Sequence, residues 1–166
     1  MRENENYFLW AHLMDPHIPY YPLKTETGLS KLEMRTLNDK IIESVHGNYS
    51  PNREETEMAL MLYKEDIRVM DQALKPFLEN LPEDTTLIIK ADHGEEFGEH
   101  GQYSHHGDKN IPELLHVPLI ISGPGVKTIQ VNDYVSTMSI AATILEAQGI
   151  EESIGNAPSL WGLVSK

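Results

Sequence analysis

The segment Thr86–Gly94 reads TLIIKADHG, an apolar run that leads directly into an Asp-His pair. The run is short and β-branched, and its first charge is Lys90, which predicts a strand buried on both faces. In open α/β sheets, ligands bind beyond the carboxyl ends of such strands, where Asp92 and His93 stand. A carboxylate oxygen beside an imidazole nitrogen, on a backbone bent at Gly94, indicates half of a divalent-metal site.

The residues after this pair strengthen the metal-site interpretation. Taken alone, an aspartate before a glycine is often only a turn former, and a tripeptide is a weak motif. His100, His105 and His106 follow closely, however, in a chain with only 8 histidines. The density of imidazoles therefore favours a functional loop.

Composition restricts the class of protein. A length of 166 residues suits one domain, and 40% hydrophobic with 23% charged residues is ordinary for a globular chain. The net charge of −13 argues against a nucleic-acid partner, although a bound cation would still admit an anionic small substrate. The chain has no cysteine and no apolar run near the ~20 residues of a membrane span. Its start lacks a signal-peptide pattern, which says nothing about compartment if the chain is a fragment.

Two features are predicted near the start of the chain. Residues 7–13 (YFLWAHL) predict a first buried strand. Three prolines then stop the strand and stiffen the loop that carries His17. Stiff backbone at the end of a strand suits a preorganised ligand contact, whereas the alternative is a turn with His17 simply exposed.

Helical patterns occupy the middle of the chain. Residues 29–45 carry a weak apolar pattern that indicates a short helix. Asn52 and Glu55 form a capping box, and a Ser50 cap is the alternative start for the next helix. Its apolar stripe runs over residues 63–81, and the intervening charged residues, Asp66 among them, fall on the polar face. Pro76 predicts a kink or an end.

A further strand and helix follow the histidine loop. Val117–Ser122 predicts another buried strand, and residues 139–148 predict a helix with Ser136 as N-cap and Gly149 after its end. A helix between the first two predicted strands indicates a βαβ unit and a parallel sheet. His17, the Asp-His pair and the later histidines would then gather at one sheet edge.

The motifs, taken in order, resemble those of the sulfatases, which belong to the alkaline phosphatase superfamily. The resemblance covers Tyr7 to about Trp161, and its blocks are HLMDPHxPY, YxxxIRxxD, DHGExxGEHG, HG, ELLxVPLIIxGPG and VSxxxIAxTIL. It implies an α/β, alkaline-phosphatase-like fold, a mostly parallel sheet flanked by helices and truncated at the N-terminus. Residues 1–166 would form a single domain, the C-terminal portion of a catalytic domain that hydrolyses small-molecule sulfate, or phosphate, esters.

The resemblance also implies roles for individual residues. Asp92 and His93 match a pair of metal ligands, which hold Ca²⁺ in many sulfatases and Mn²⁺ or Mg²⁺ in relatives. His17 matches a histidine that contacts the sulfate or phosphate group. His106 matches a second substrate-contacting position, and His105 takes that role if the loop register differs by one. One of these histidines would protonate the leaving group.

Three glutamates in the same loop, Glu95, Glu96 and Glu99, also match the family motif. We assign them first to loop architecture and to contacts with ligating residues.

The chain departs from the family pattern at the nucleophile. The family's Cys/Ser-x-Pro-x-Arg motif and first pair of metal-binding acids precede the His17 block, and the segment Tyr49–Arg53 has Tyr at the nucleophile's place. We therefore expect the isolated chain to be inactive and weak in metal affinity. An edge exposed by missing strands makes self-association a further expectation.

Two alternatives stay open. A phosphodiesterase, or a phosphoethanolamine or phosphoglycerol transferase, shares the Asp-His pair and differs mainly in its nucleophile. The second alternative is a non-catalytic binding module that keeps the fold. Such a module is expected to have lost the metal-binding and substrate-binding residues. The residues at these positions, His17, Asp92, His93 and His106, are all present.

Overall fold

The computed structural model describes residues 6–105, 110–152 and 154–165. Two compact units divide the chain. The first unit comprises Met1–Glu79 and Glu95–Lys109, and the second comprises Asn80–Gly94 and Asn110–Lys166. The Asp-His pair therefore ends a segment of the second unit, whereas the glutamate and histidine loop that follows it belongs to the first.

Two helices carry most of the first unit. Helix α1 spans Lys31–Val45 and begins with a capping box between Ser30 and Glu33. Helix α2 spans Arg53–Glu79. The predicted capping box at its start is confirmed, because the Glu55 N–H donates to Asn52 Oδ1 (3.0 Å) while the Asn52 N–H donates to the Glu55 carboxylate (2.8 Å).

The end predicted at Pro76 is wrong. Helix α2 continues through Pro76 to Glu79. A proline removes one backbone N–H donor and so one hydrogen bond to the preceding turn. Because only three residues follow it, the helix loses a single hydrogen bond near its end, the one to the carbonyl of residue 72.

A short hairpin completes the core of the first unit. Strands β2 (Glu96–Phe97) and β3 (Tyr103–Ser104) pair antiparallel, with Phe97 opposite Tyr103. The Tyr103 hydroxyl lies 2.7 Å from Thr56 Oγ1 on α2. The buried core is shared by both helices, the hairpin and the chain before α1, and comprises Tyr20, Met34, Leu37, Ile41, Ala59, Leu62, Phe97 and Tyr103.

Strands β1 (Leu87–Lys90) and β4 (Leu119–Ser122) of the second unit confirm the two predicted apolar strands but correct their direction. They pair antiparallel, from Leu87 opposite Ser122 to Lys90 opposite Leu119. Between them the only described helix is α3, Pro112–Leu115, which at 4 residues is too short for the crossover that a parallel pair needs.

The prediction that these strands are buried on both faces is also wrong. Ile89 is 36% exposed and Ile120 is 53% exposed. Among the residues that the structure describes, β1 and β4 form a two-stranded ladder, so each strand has an outer edge without a neighbouring strand.

The remainder of the second unit is helical. A 3₁₀ turn over Thr137–Ser139 begins at Ser136, whose hydroxyl accepts from the Met138 N–H (3.2 Å). Helix α4 (Ile140–Ala147) follows, and α5 covers Trp161–Val164. The predicted glycine end of α4 is confirmed: Gly149 has φ +68°, and the backbone N–H groups of residues 149 and 150 donate to carbonyls of the last turn.

The predicted first strand at residues 7–13 is wrong in this structure. The segment has no regular secondary structure, and Phe8 and Trp10 are 76% and 79% exposed. A strand needs hydrogen-bonding neighbours on its edges, and no described segment pairs with it. Among the described helices, none is long and apolar enough to cross a membrane.

Candidate functional site

The Asp-His pair follows β1 directly and depends on Gly94 for its backbone path. The Gly94 N–H donates to the Leu114 carbonyl (2.8 Å). A Cβ at position 94 would lie 1.9 Å from the Glu113 carbonyl oxygen, closer than any real contact. Glycine is therefore the residue that lets the chain turn here against α3.

The imidazole of His93 is oriented by its own backbone. His93 Nδ1 lies 2.8 Å from the Gly94 carbonyl oxygen. Because a carbonyl oxygen only accepts, Nδ1 carries the proton in the neutral ring and Nε2 carries the lone pair. A histidine that binds a metal through Nε2 usually donates its Nδ1–H to an acceptor of this kind.

Asp92 lies beside this ring with its carboxylate ionised. Partial burial raises the pKa of Asp92, but backbone N–H donors and the nearby His93 and Lys90 outweigh it and hold the pKa below its ordinary value. Its Oδ1 accepts from the His93 N–H (3.1 Å) and lies 3.9 Å from His93 Nε2. Both side chains are accessible, at 58% and 37% exposed.

These two residues fit a divalent cation as part of a ligand set. A carboxylate oxygen and an imidazole nitrogen suit Ca²⁺, Mn²⁺ or Mg²⁺ to different degrees. Residues 6–105, 110–152 and 154–165 contain no group of three or more His, Cys, Asp or Glu side chains placed to hold a metal ion. Asp92 and His93 are thus two candidate donors, and two donors alone do not make a metal site among the described residues.

His17 and His105 come together within the first unit. Their ring centroids lie 4.9 Å apart, with one edge toward the other face at an interplanar angle of 66°. His17 lies in a turn closed by its backbone N–H, which donates to the Met14 carbonyl (2.8 Å). Its Nδ1 is hydrogen-bonded to the Ile18 carbonyl oxygen, so His17 shares the tautomer of His93.

His105 is held by side chains instead. Its Nδ1 lies 3.4 Å from Glu95 Oε1 and 3.1 Å from Ser104 Oγ. Ser104 adopts φ +65°, which is rare for a residue with a side chain and is found where the surroundings enforce it. The contacts around this loop therefore hold Ser104 in an unfavourable backbone conformation, which sets the position of His105 after it.

The three glutamates of the loop do different things. Glu96 is 1% exposed, and its Oε1 accepts from the backbone N–H groups of His100 (2.9 Å) and Gln102 (3.3 Å). Glu99 accepts from the Phe97 N–H (2.6 Å). The predicted role in supporting the loop is thus confirmed for Glu96 and Glu99, whereas the Glu95 carboxylate lies next to His105.

The histidine loop contains two further histidines, His100 and His106. His100 lies in the loop held by Glu96, and its side chain is exposed. His106, predicted to contact substrate, lies outside the described residues. Of the two alternatives for the second histidine, His105 is the one whose position relative to His17 is described.

Sequence patterns missed one buried carboxylate, Asp66. The helical pattern predicts it on the polar face of α2, but it is only 6% exposed. Burial raises the pKa of Asp66 to about 6, the nearby Asp15 carboxylate adds to the rise, and the Tyr21 backbone N–H opposes it. It borders an open, mainly apolar cavity of about 330 Å³ that His12 also lines.

Comparisons with known proteins identify the family of the chain. The profile of the sulfatase family matches residues 1–150, so the chain belongs to the sulfatase family. Human arylsulfatase K is 29% identical over 143 residues, which are 85% of this chain and 24% of the relative. The phosphopentomutase of Carboxydothermus hydrogenoformans is 32% identical over 109 residues, 63% of this chain and 24% of its own length.

A third relative is the low-salt glycan biosynthesis sulfotransferase Agl7 of Haloferax volcanii. It is 37% identical over 90 residues, 51% of this chain and 22% of the relative. The chain thus spans about a quarter of the length of the curated relatives that it matches. No solved structure matches the chain significantly.

Proposed function

We propose that this chain forms part of a hydrolase that cleaves small-molecule sulfate esters. The observation that carries the proposal is the pair His17 and His105, 4.9 Å apart in the first unit. Two imidazoles at that spacing, each with Nδ1 turned toward an acceptor of its own chain, suit a tetrahedral anion. Membership of the sulfatase family and the arylsulfatase K relatives support the same conclusion.

The imidazoles would act on the leaving group. As a nucleophile bonds to sulfur, the bond between sulfur and the ester oxygen breaks and its electron pair stays on that oxygen. A protonated histidine, His17 or its partner at position 105 or 106, then gives its proton to the oxygen. None of the 166 residues forms the family's nucleophile motif, so we propose that the nucleophile lies outside them.

The Asp-His pair would supply two ligands of a divalent cation. We propose Ca²⁺, with Mn²⁺ or Mg²⁺ as alternatives, held by the Asp92 carboxylate and His93 Nε2. Such a cation, when bound, would supply positive charge that stabilises a nonbridging oxygen of the ester. The ionised state of Asp92 and the tautomer of His93 support this assignment.

We propose that the chain is the C-terminal portion of a sulfatase-type catalytic domain and is inactive by itself. Its length, about a quarter of that of its relatives, is consistent with this. The exposed aromatic segment at residues 7–10 also supports the hypothesis that isolated chains self-associate. Sedimentation velocity of the isolated chain checks this, and a monodisperse monomer contradicts it.

Phosphoryl transfer is the second candidate function. The phosphopentomutase relative favours it, because that name describes an enzyme acting on a phosphate ester. Sulfate and phosphate esters are both tetrahedral anions, so the same histidines and cation would serve either.

Hydrolysis assays distinguish these proposals. An aryl sulfate and an aryl phosphodiester are offered, with Ca²⁺ or Mn²⁺, to the isolated chain and to the full-length protein that contains it. We expect the full-length protein to cleave the sulfate, the isolated chain to be inert, and Asp92→Ala or His17→Ala to lower kcat/KM at least 100-fold. His12→Ala, which removes an exposed histidine of the same segment, is the control and should stay within twofold.

Each outcome has a meaning. Cleavage of only the phosphodiester replaces the first proposal by the second. No cleavage of either ester by the full-length protein supports the non-catalytic alternative. Turnover by the isolated chain, abolished in Asp92→Ala, shows that the nucleophile lies within the 166 residues.

A further inference from the structure

Three described histidines turn Nδ1 toward an acceptor of their own chain, His17 and His105 in the first unit and His93 in the second. For His17 and His93 the acceptor is the carbonyl oxygen of the next residue. For His105 it is the Glu95 carboxylate, at 3.4 Å. A backbone carbonyl remains in place when a side chain is substituted. The Nδ1 acceptor of His105, in contrast, is a side chain that a mutation can remove.

The two groups near His105 Nδ1 are not equivalent. The Ser104 hydroxyl, at 3.1 Å, can either donate or accept. The Glu95 carboxylate only accepts, and a deprotonated Nδ1 would place a lone pair against it. Since the Glu95 side chain is only 4% exposed, water does little to weaken the preference. The Glu95 carboxylate therefore favours the Nδ1–H tautomer of His105. The Ser104 hydroxyl, which can donate or accept, adapts to that tautomer.

Glu95 lies close to the buried Tyr20. Burial raises the pKa of the neighbouring Tyr20 well above its ordinary value, and the Glu95 carboxylate raises it further. Tyr20 is 1% exposed and packs against Tyr63 and Phe97, with ring centroids 5.6 and 5.9 Å away. The Glu95 carboxylate therefore lies beside the aromatic core of the first unit, next to a tyrosine that stays a neutral phenol.

We propose that Glu95 is a positioning residue for His105. It holds the ring in the Nδ1–H tautomer, so that Nε2 carries the lone pair or the transferable proton toward the ester. The orientation itself is independent of the reaction, but its use in catalysis rests on the proposed function. Glu95 would thus replace for His105 the backbone carbonyls that orient the other two histidines.

The tautomer can be measured directly in the isolated chain. Long-range ¹H–¹⁵N spectra of ¹⁵N-histidine-labelled protein at pH 8 distinguish the Nδ1–H from the Nε2–H form, and His105→Asn identifies the His105 signals. We expect Nδ1–H in the wild type and in Ser104→Ala. Glu95→Gln, whose amide can also donate, should give a mixture, and Glu95→Met should shift the ring to Nε2–H.

Glu99→Gln is the matched control, because it makes the same change in the same loop at a carboxylate that bonds to the Phe97 N–H instead. Unchanged backbone spectra show that each variant is folded. An Nε2–H tautomer in the wild type, or an Nδ1–H tautomer that persists in both Glu95 variants, overturns the proposal. A switch in Ser104→Ala assigns the role to the hydroxyl and also overturns it.

Kinetics of the full-length protein separate this inference from the proposed function. With an aryl sulfate as substrate, Glu95→Met should lower kcat at least tenfold, and Glu95→Gln should lower it less because part of the ring keeps the Nδ1–H form. KM should stay within about twofold in both, whereas Glu99→Gln should change neither constant. Absence of hydrolysis in the wild type contradicts the proposed function and leaves the tautomer result standing. Full kcat in Glu95→Met, together with a changed tautomer, shows that His105 does not act in the reaction and overturns the catalytic part.

Discussion

Residues 92–94 and residues 95–99 are neighbours in sequence, yet they hold their polar groups in opposite ways. Asp92 and His93 are accessible, and they are oriented by backbone groups that include the Gly94 carbonyl. Glu95 and Glu96 are buried, and their carboxylates orient other groups, the His105 ring and two backbone N–H donors. The first segment presents side chains outward, and the second uses them as internal supports.

This difference predicts where each segment is sensitive to mutation. An accessible ligand held by the backbone can be exchanged with little loss of stability, because few contacts are broken. A buried carboxylate that receives N–H donors leaves those donors without partners when it is removed. In the first segment, stability should therefore depend on the glycine that shapes the backbone, and in the second on the glutamates.

Gly94→Ala should have the largest effect. Its Cβ would lie 1.9 Å from the Glu113 carbonyl oxygen, so the turn after β1 has to move. We expect a loss of about 3 kcal/mol or more in the free energy of unfolding, measured by urea denaturation. Gly162→Ala is the control in the same unit, because nothing lies within 4 Å of a Cβ there. Equal stability of the two variants contradicts the proposed constraint.

Glu96→Ala should come next. The substitution leaves the His100 and Gln102 N–H groups without the carboxylate oxygen that now accepts from both. We expect a loss of about 2–3 kcal/mol in the free energy of unfolding. Asp92→Ala should cost less than about 1 kcal/mol, since that side chain is 58% exposed. Similar losses in the two variants would remove the distinction between the segments.

Local signals predicted much of this structure because they depend on neighbours in sequence. The capping box of Asn52 and Glu55 and the glycine after α4 follow from a few adjacent residues. Strand direction does not: β1 and β4 pair antiparallel because of the path of the chain between them. The segment 7–13 has strand-forming residues, but pairing partners decide whether they form a strand.

The site was predictable in composition and less so in arrangement. Motif order predicted His17, Asp92 and His93, and the histidine loop, as candidate site residues from the sequence alone. The contact of Glu95 with His105 joins residues ten apart through a loop that a hairpin closes, which no periodicity indicates. The burial of Asp66 was missed for a similar reason, because a charged residue at a helical position is ordinarily solvent-facing.

Asp66 gives a smaller predicted effect than Gly94 or Glu96, and it tests the burial of a carboxylate that has no cation beside it among its described contacts. Its pKa is raised from 3.8 to about 6, so the folded state binds this proton more tightly than the unfolded chain. Stability from this group is therefore complete below pH 4 and is lost as the pH rises through about 6. At pH 7.5, Asp66→Asn should stabilise the chain by roughly 1–2 kcal/mol, because the amide oxygen still accepts from the Tyr21 N–H. The gain should vanish at pH 3.5 in matched urea titrations, and a gain independent of pH would show that packing, not charge burial, is responsible.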